Sequence, residues 1–461
     1  MTPLWTSDEI AAATGGTASA PFEVTGVTFD SREVRPGDLF VAMPGTAHDG
    51  HDFVDLAFAS GAAGALVSRP AGGPYVHVAD PFAALQALAQ AARERVTATI
   101  VGITGSVGKT STKEALFEAL DRARPGQVHR SVNSYNNHTG VPLSLARMPR
   151  DCAYAVLEMG MNNPGEIAAL ARAVRPHVAL ITAIAPAHIE NLGSIEAIAD
   201  AKAEIFAGLE PDGIAIIPNG SAQRDRLVKA ARRHAGRIVT FGEGDADVHA
   251  IHAVGAEAGG SLISAALLER ELTFTISQRG EHWVSNALAV LAAVEAVGAD
   301  VAAAGLALAD MHGLKGRGER HSLSVEGGPV LLIDESYNAN PASMAATLQS
   351  LGEEREPVRR IAVLGPMREL GEQSDALHAG LAPAVIAARL DRLILIGEEM
   401  APLDAALAGQ MAVERATTAD DAAQMLMSDL RPGDAVLVKA SNTVGLARLV
   451  ERMVRELPCS T

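Results

Sequence analysis

The stretch GITGSVGKTSTKEAL, residues 102–116, leaves a chain few options. It follows the apolar run TATIVGI and leads into STKEALFEAL, whose apolar positions recur with helical spacing. Strand, glycine-rich turn and helix N-terminus, in that order, form the setting of a phosphate-binding loop. Backbone N–H groups and the positive end of the helix dipole suit phosphate oxygens. Lys109 is placed to reach the terminal phosphates, and the Thr110 hydroxyl to ligate Mg²⁺. The generic spacing G-x-x-x-x-G-K-[ST] would put a glycine at position 103, where Ile103 stands between Gly102 and Gly105. TGSVGKT is therefore a variant loop. The plain alternative is a glycine-rich strand–helix turn with no ligand.

A chain of 461 residues exceeds one core, and at about 150 residues per domain it should form roughly three. Residues 1–96 alternate short β-rich runs with turn signals such as RPGD, which predicts a small mixed αβ domain. The helix-like stretch 81–96 leads out of it. Across 97–314, ATIVGIT, YAVLEMG, VALITAI, GIAIIPN and RIVTFGE read as continuous apolar strands separated by helices. That pattern predicts a doubly wound, mostly parallel sheet covered on both faces, with ligands at the carboxyl ends of its strands. Segment 246–280 reads as an antiparallel extension, and 282–298 as a closing helix. MHGLKGRGERH (311–321) is basic and glycine-rich and reads as a hinge. Beyond it, 315–461 repeats the strand–helix alternation through PVLLIDES, RIAVLGP, RLILIGE and AVLVKAS, a second Rossmann-like αβ domain. The predicted class is thus three-domain α/β.

Charge narrows the partners. The 38 basic residues against 55 acidic ones leave a net −17, which repels nucleic acid and anionic membranes but permits a small anionic substrate beside a local basic loop. The start MTPLWTSDEI lacks a basic and then apolar leader, and no run of 18 apolar residues occurs. Cys152 and Cys459 have no metal-ligand spacing and read as free thiols. The expectation is a cytoplasmic protein, and the composition suits a monomer.

Three further residues gain meaning from the loop. Glu158 ends the strand YAVLE where the nucleotide should lie, and a carboxylate with phosphates is the usual Mg²⁺ environment. His188 follows the end of a third strand and points to the same crevice. Lys202 lies in the next helix, with Glu204 nearby. Alone, a strand-end glutamate, a loop histidine and a helix lysine would be ordinary solvated or structural groups. Together with the phosphate loop they form one assembly.

That assembly resembles the Mur ligases, ATP-dependent amide-forming enzymes of peptidoglycan synthesis. TGSVGKTSTKE, NSYNNHTGVPLSL, LEMGMNNPGEIAAL, HIENLGSIEAIADAKAEIF, HWVSNALAVLAA, GRGERH and DESYNANPASM carry the likeness along the whole chain. YNANP is similar to the branch that adds D-alanyl-D-alanine, and the D-N-P-R motif of the diaminopimelate- or lysine-adding branch is absent. The resemblance implies ATP, Mg²⁺ and two small-molecule substrates, UDP-muramoyl-tripeptide and D-alanyl-D-alanine. It implies that Lys109 and the loop residues Gly105, Ser106, Val107, Gly108, Thr110 and Ser111 hold the ATP phosphates. Thr110 and Glu158 would ligate one Mg²⁺, with His188 helping to place a second. Lys202 matches the lysine that the family carbamylates, which would turn a cation into a carboxylate-like anion beside a metal ion. His282 and Asn286 match the adenine-side pair. Arg317 and Asp334 would reach the nucleotide from the third domain, where Tyr337 and Asn338 belong to the substrate side. In the N-terminal domain Ser31 and Thr46 would contact uracil; from the central domain Asn137, His138 and Thr139 would face the sugar.

The sequence departs from the family at three places. Glu335 fills the second-acid position after Asp334. Pro366 stands where aspartate is usual, and Ala440 and Asn442 stand where glycine and arginine are common. The last two departures concern the domain expected to receive the dipeptide. Two rivals share the ATP core: a related ligase acting on another acid, such as a folate–glutamate ligase or a different peptidoglycan step, and a P-loop switch that forms no bond. The DSR…DGH stretch favours a UDP-sugar substrate, and a switch has no use for the His188 and Lys202 pattern.

Overall fold

The computed structural model describes residues 3–45, 48–256, 260–354 and 357–457. Three sheets, one after another along the chain, organise it. In the first, the strands Asp38–Val41 and Gly64–Val67 are buried along their whole length. Gly26–Thr28 and Tyr75–His77 flank them in parallel, and Thr17–Ala18 adds an antiparallel edge. The helix Pro81–Glu94 starts at Asp80, whose carboxylate accepts the N–H of Phe82 and Ala83, with proline at the first turn.

The central sheet has nine strands. The phosphate-loop strand Thr99–Thr104 lies between Tyr154–Glu158 and Val178–Ile181, parallel to both. The chain passes from one neighbour to the other across it, so the loop emerges at the switch point of the sheet, where open α/β sheets bind ligands. Ile214–Pro218 and Arg237–Gly242 continue the parallel part. Val248–Gly255, Ser261–Ala266 and Glu271–Ile276 form the antiparallel extension read from 246–280. Both faces are covered. The helices Lys109–Ala123 and Glu281–Ala296 contribute to the core on one face, and Glu166–Val174 and Ile195–Ala203 to that on the other.

Six strands form the third sheet, which is parallel apart from the hairpin Glu319–Val325/Gly328–Glu335. Apolar clusters line both of its faces. One of them reaches across the domain boundary and takes in Ile189 and Ile198 of the central domain beside Met367 and Leu370. The third domain is thereby docked on the turn that carries His188.

Two edge strands lack an apolar run that would announce them. Val128–Arg130 and Val413–Ala416 (VHR and VERA) are short and only partly buried. Among the described residues no helix is long and apolar enough to cross a membrane. Cys152 is buried and unbridged, and burial pushes its thiol up to about 11, which leaves it a poor nucleophile. Cys459 lies outside the described residues.

Candidate active site

The helix Lys109–Ala123 begins at Gly108, which has φ +81° and no side-chain cap. Its first N–H groups therefore have no side-chain acceptor at the cap, which suits an anion. The loop before it is clamped by the neighbouring strand end. Ser106 N–H donates to Ala183 O (2.8 Å), and the Thr182 hydroxyl donates to Val107 O (2.5 Å). A Cβ on Gly105 would lie 2.0 Å from Thr182 Oγ1, so this close approach admits only glycine. Gly108 is confined in the same way by Asn286, whose Oδ1 lies 2.9 Å from where a Cβ would stand.

Lys109 donates to Gly105 O at 2.7 Å. Burial holds its ammonium below the ordinary lysine value; Glu158 opposes this and Arg317 adds to it. Glu158 is 1% exposed and receives two donors on its carboxylate: Thr110 Oγ1 on Oε2 (2.8 Å) and Asn136 Nδ2 on Oε1 (2.7 Å). Its backbone N–H donates to Ser131 Oγ (2.9 Å). Two hard oxygen groups, Thr110 and Glu158, thus meet beside the loop, a donor set that fits Mg²⁺.

Loop and carboxylate open onto a cavity of about 570 Å³ walled by the central and third domains. Among the residues read from sequence, Ser106, Val107, Gly108, Lys109, Ser111, Asn137, Glu158, His188, His282, Asn286, Arg317, Tyr337 and Asn338 line it. His282 is pushed down to about 4 by burial and, secondarily, by Lys439, so its ring is neutral at pH 7. Arg317 stacks over the Tyr337 ring, 4.2 Å from its centroid, and the Tyr337 hydroxyl meets Ser134 Oγ across the domain boundary.

Lys202 lies just behind this wall. It is fully buried, and its Nζ has no hydrogen-bond partner. Glu204, its neighbour in sequence, is engaged elsewhere: it accepts the N–H groups of Gly165 (2.7 Å) and Ala168 (3.1 Å). Burial, reinforced by Lys109, holds the Lys202 ammonium well below its ordinary value, while Glu158, Glu204 and Glu166 pull the other way.

Other expected residues are placed differently. Asp334 does not line the cavity; it is 1% exposed and accepts Gly316 N–H (2.9 Å) and Ser336 N–H (3.0 Å). It braces the turn that presents Arg317. With Glu319 and His321 it also makes a cluster of possible metal ligands, but both of its oxygens already accept these backbone groups. Gly105 and Thr110 lie behind the lining surface, acting through Lys109 and Glu158. Asn137 Oδ1 accepts Thr139 Oγ1 (2.9 Å) and Gly140 N–H (2.9 Å), turn chemistry at the start of a helix. His138 packs edge-on against Phe82. Neither His138, Thr139 nor Ser31 lines the cavity, and Thr46 lies outside the described residues.

Sequence reasoning missed Asn136 and Lys439. Asn136 lies inside the stretch NSYNNHTGVPLSL, directly before the residues given a role there, where paired asparagines read as turn chemistry. Lys439 ends the strand Ala435–Lys439 as Glu158 ends its own, which was the available signal. It is 2% exposed and lines the cavity, donating to Glu335 Oε2 (3.2 Å) and Asn338 O (3.0 Å). Replacing Asn136 with alanine strips one donor from Glu158. The Mg²⁺ concentration giving half-maximal turnover should rise about tenfold, the scale of losing a group that orients a metal ligand; an unchanged Mg²⁺ titration would refute the role.

Three family models match the chain: Mur ligase family, catalytic domain, over 23–99; Mur ligase middle domain over 103–294; and Mur ligase, glutamate ligase domain, over 316–442. A UDP-N-acetylmuramoyl-tripeptide–D-alanyl-D-alanine ligase of Synechocystis is 36% identical over 450 residues, covering 96% of this chain and 94% of that one. A crystal structure of MurF from Acinetobacter baumannii aligns with TM-score 0.84 at 30% identity over 99% of each chain. The MurF ligase of Thermotoga maritima in complex with ADP aligns with TM-score 0.78 at 28% identity, over 94% of this chain and 98% of that one.

Proposed function

Because the chain belongs to the Mur ligase family, we propose that it joins D-alanyl-D-alanine to UDP-N-acetylmuramoyl-tripeptide, driven by ATP, in the making of peptidoglycan precursors. The observation that carries this reading is the shared cavity, in which Lys109 and Glu158 of the central domain face Tyr337, Asn338 and Lys439 of the third. Residues 1–96 would hold the UDP-sugar, with Ser31 and Thr46 toward uracil, while Asn137, His138 and Thr139 of the central domain would face the sugar. Residues 97–314 would hold ATP and 315–461 the dipeptide. We read the chain as a monomer acting in the cytoplasm.

A carboxylate is a poor electrophile, so the tripeptide's terminal carboxylate must first be activated. Its oxygen attacks the γ-phosphorus of ATP, the bond to ADP breaks, and an acyl phosphate results. The dipeptide's neutral amine then adds to the acyl carbon. Phosphate leaves, the nitrogen loses its proton, and an amide remains. Residues of this chain contribute position and charge, as in other phosphoryl transfers. Loop N–H groups and Lys109 would hold the phosphates. His282 and Asn286 would take the adenine side, with Arg317 reaching the nucleotide from the third domain. Mg²⁺, held by Thr110 and Glu158, with His188 placing a second ion, would neutralise the charge that develops on the transferring phosphoryl group. Lys202 as a carbamate would add an anion on the same side.

Phosphate release measured with each substrate alone and with both provides the test. Release that requires UDP-muramoyl-tripeptide together with D-alanyl-D-alanine is the expected result. Release with neither substrate would favour a nucleotide switch, and release driven by a different acid would favour another ligase.

A further inference from the structure

The loop Gly365–Gly371, containing the unusual Pro366, follows the third-domain strand Arg360–Leu364. Its own domain anchors it at four points. Gly365 N–H donates to Lys439 O (2.9 Å), Met367 N–H to His378 Nε2 (3.0 Å), Arg368 N–H to Ser441 Oγ (2.9 Å), and Ser441 N–H to Pro366 O (3.1 Å). His378 is fully buried and donates from Nδ1 to Ser374 O (2.8 Å), so this anchor is built into the core. The loop's tip meets the central domain. Glu190 N–H donates to Glu369 O (3.2 Å), and the Glu369 carboxylate lies against His188 Nδ1. Ile189, Met367 and Leu370 pack in one apolar cluster beneath the contact.

His188 and Glu369 both have left-handed backbones, φ +59° and +62°. Non-glycine residues accept that conformation where their surroundings over-determine it, and such positions concentrate at functional sites. Here the strain lies on both sides of one interdomain contact. The four anchors mean that Glu369 moves with the third domain, whereas His188 belongs to the central domain and lines the cavity.

We propose that Glu369 is the positioning residue of His188, so that docking of the third domain and metal binding at His188 favour one another. A histidine that binds a metal ion commonly sets its other ring nitrogen against a carboxylate, which fixes the ring's orientation. With Nδ1 against Glu369, Nε2 is left for the cavity. The carboxylate arrives only with the third domain, so the two events share a coupling free energy, and each must promote the other equally. This inference rests on the reading of His188 as a metal-placing residue.

The test titrates Mn²⁺ into the full-length protein holding a non-hydrolysable ATP analogue, and reads bound metal by electron paramagnetic resonance. Glu369→Gln should weaken the second Mn²⁺ about tenfold. His188→Ala should weaken it as well, and the double variant should bind no worse than His188→Ala alone. Mn²⁺ should also slow hydrogen exchange in the loop Met367–Gly371 of the unaltered protein and leave it unslowed in Glu369→Gln. Unchanged Mn²⁺ affinity in Glu369→Gln, with His188→Ala weakened, would overturn the coupling while leaving His188 its metal role. Unchanged affinity in His188→Ala would overturn that role and the coupling with it. Glu369 is half exposed at the contact, so the glutamine variant is expected to fold.

Discussion

Lys109→Ala is expected to lower kcat by a factor on the order of 10²–10³, the scale of losing one preorganised electrostatic donor. Lys109 is the only cation within the phosphate loop itself, and it stands half-buried at the head of an uncapped helix. It already donates to the carbonyl of Gly105 at 2.7 Å, so its reach is set by the loop and not by solvent. Bound phosphates would offer it a stronger, charged acceptor at little cost in ordering. The charge on the γ-phosphoryl oxygens shifts as the bond to ADP breaks, so the loss should fall on kcat more than on nucleotide binding. Steady-state kinetics with ATP varied, alongside the affinity for ADP, separate these effects. Near-normal turnover by Lys109→Ala would refute the assigned role, and a pure rise in KM would mean that the lysine only binds.

The phosphate loop was legible because its chemistry is local. Glycine, lysine and threonine at fixed spacing after a strand need no tertiary information. The strand-end rule extended this to Glu158, since a buried parallel strand must end at the sheet's carboxyl edge. It would have found Lys439 had it been applied to AVLVK as it was to YAVLE. Asn136 and Glu369 were beyond reach for a different reason: each matters through a partner distant in sequence, Glu158 and His188 respectively. Asp334 shows the converse. Its position in a motif suggested a ligand, whereas its carboxylate holds two backbone N–H groups and acts on the cavity by shaping the turn at Gly316. Edge strands such as VERA stayed hidden because a strand with one exposed flank needs no continuous apolar run. The two-sided burial that makes central strands readable does not apply to them.

Replacing Lys202 with alanine should abolish ligation, and added short carboxylates such as formate or acetate should restore part of it. A helix lysine ordinarily keeps its head in water, but this one is fully buried with no hydrogen-bond partner, while Glu204 is occupied at a helix N-terminus. An unpartnered buried cation is costly, and burial with Lys109 close by pushes the group toward the neutral amine. A neutral amine is the form that adds to carbon dioxide. The nitrogen–carbon bond forms, one carbon–oxygen π pair moves onto oxygen, and the nitrogen's proton goes to solvent. The product is an anion, to which Lys109 is an attractive neighbour where it was a repulsive one for the ammonium. Such a modification would relieve the unpartnered amine and would supply negative charge toward a second Mg²⁺. Alanine also empties the space of a fully buried side chain, which should lower thermal stability, so recovery of activity by carboxylates in the folded variant is what marks the loss as chemical in origin. In ¹³CO₂-equilibrated protein a carbamate carbon resonance should be present and should vanish in Lys202→Ala. Normal ligation by the variant, or no carbamate signal in the unaltered protein, would rule the modification out. If carboxylates fail to rescue while the signal is present, the carbamate would be a brace for the helix and not a metal-facing anion.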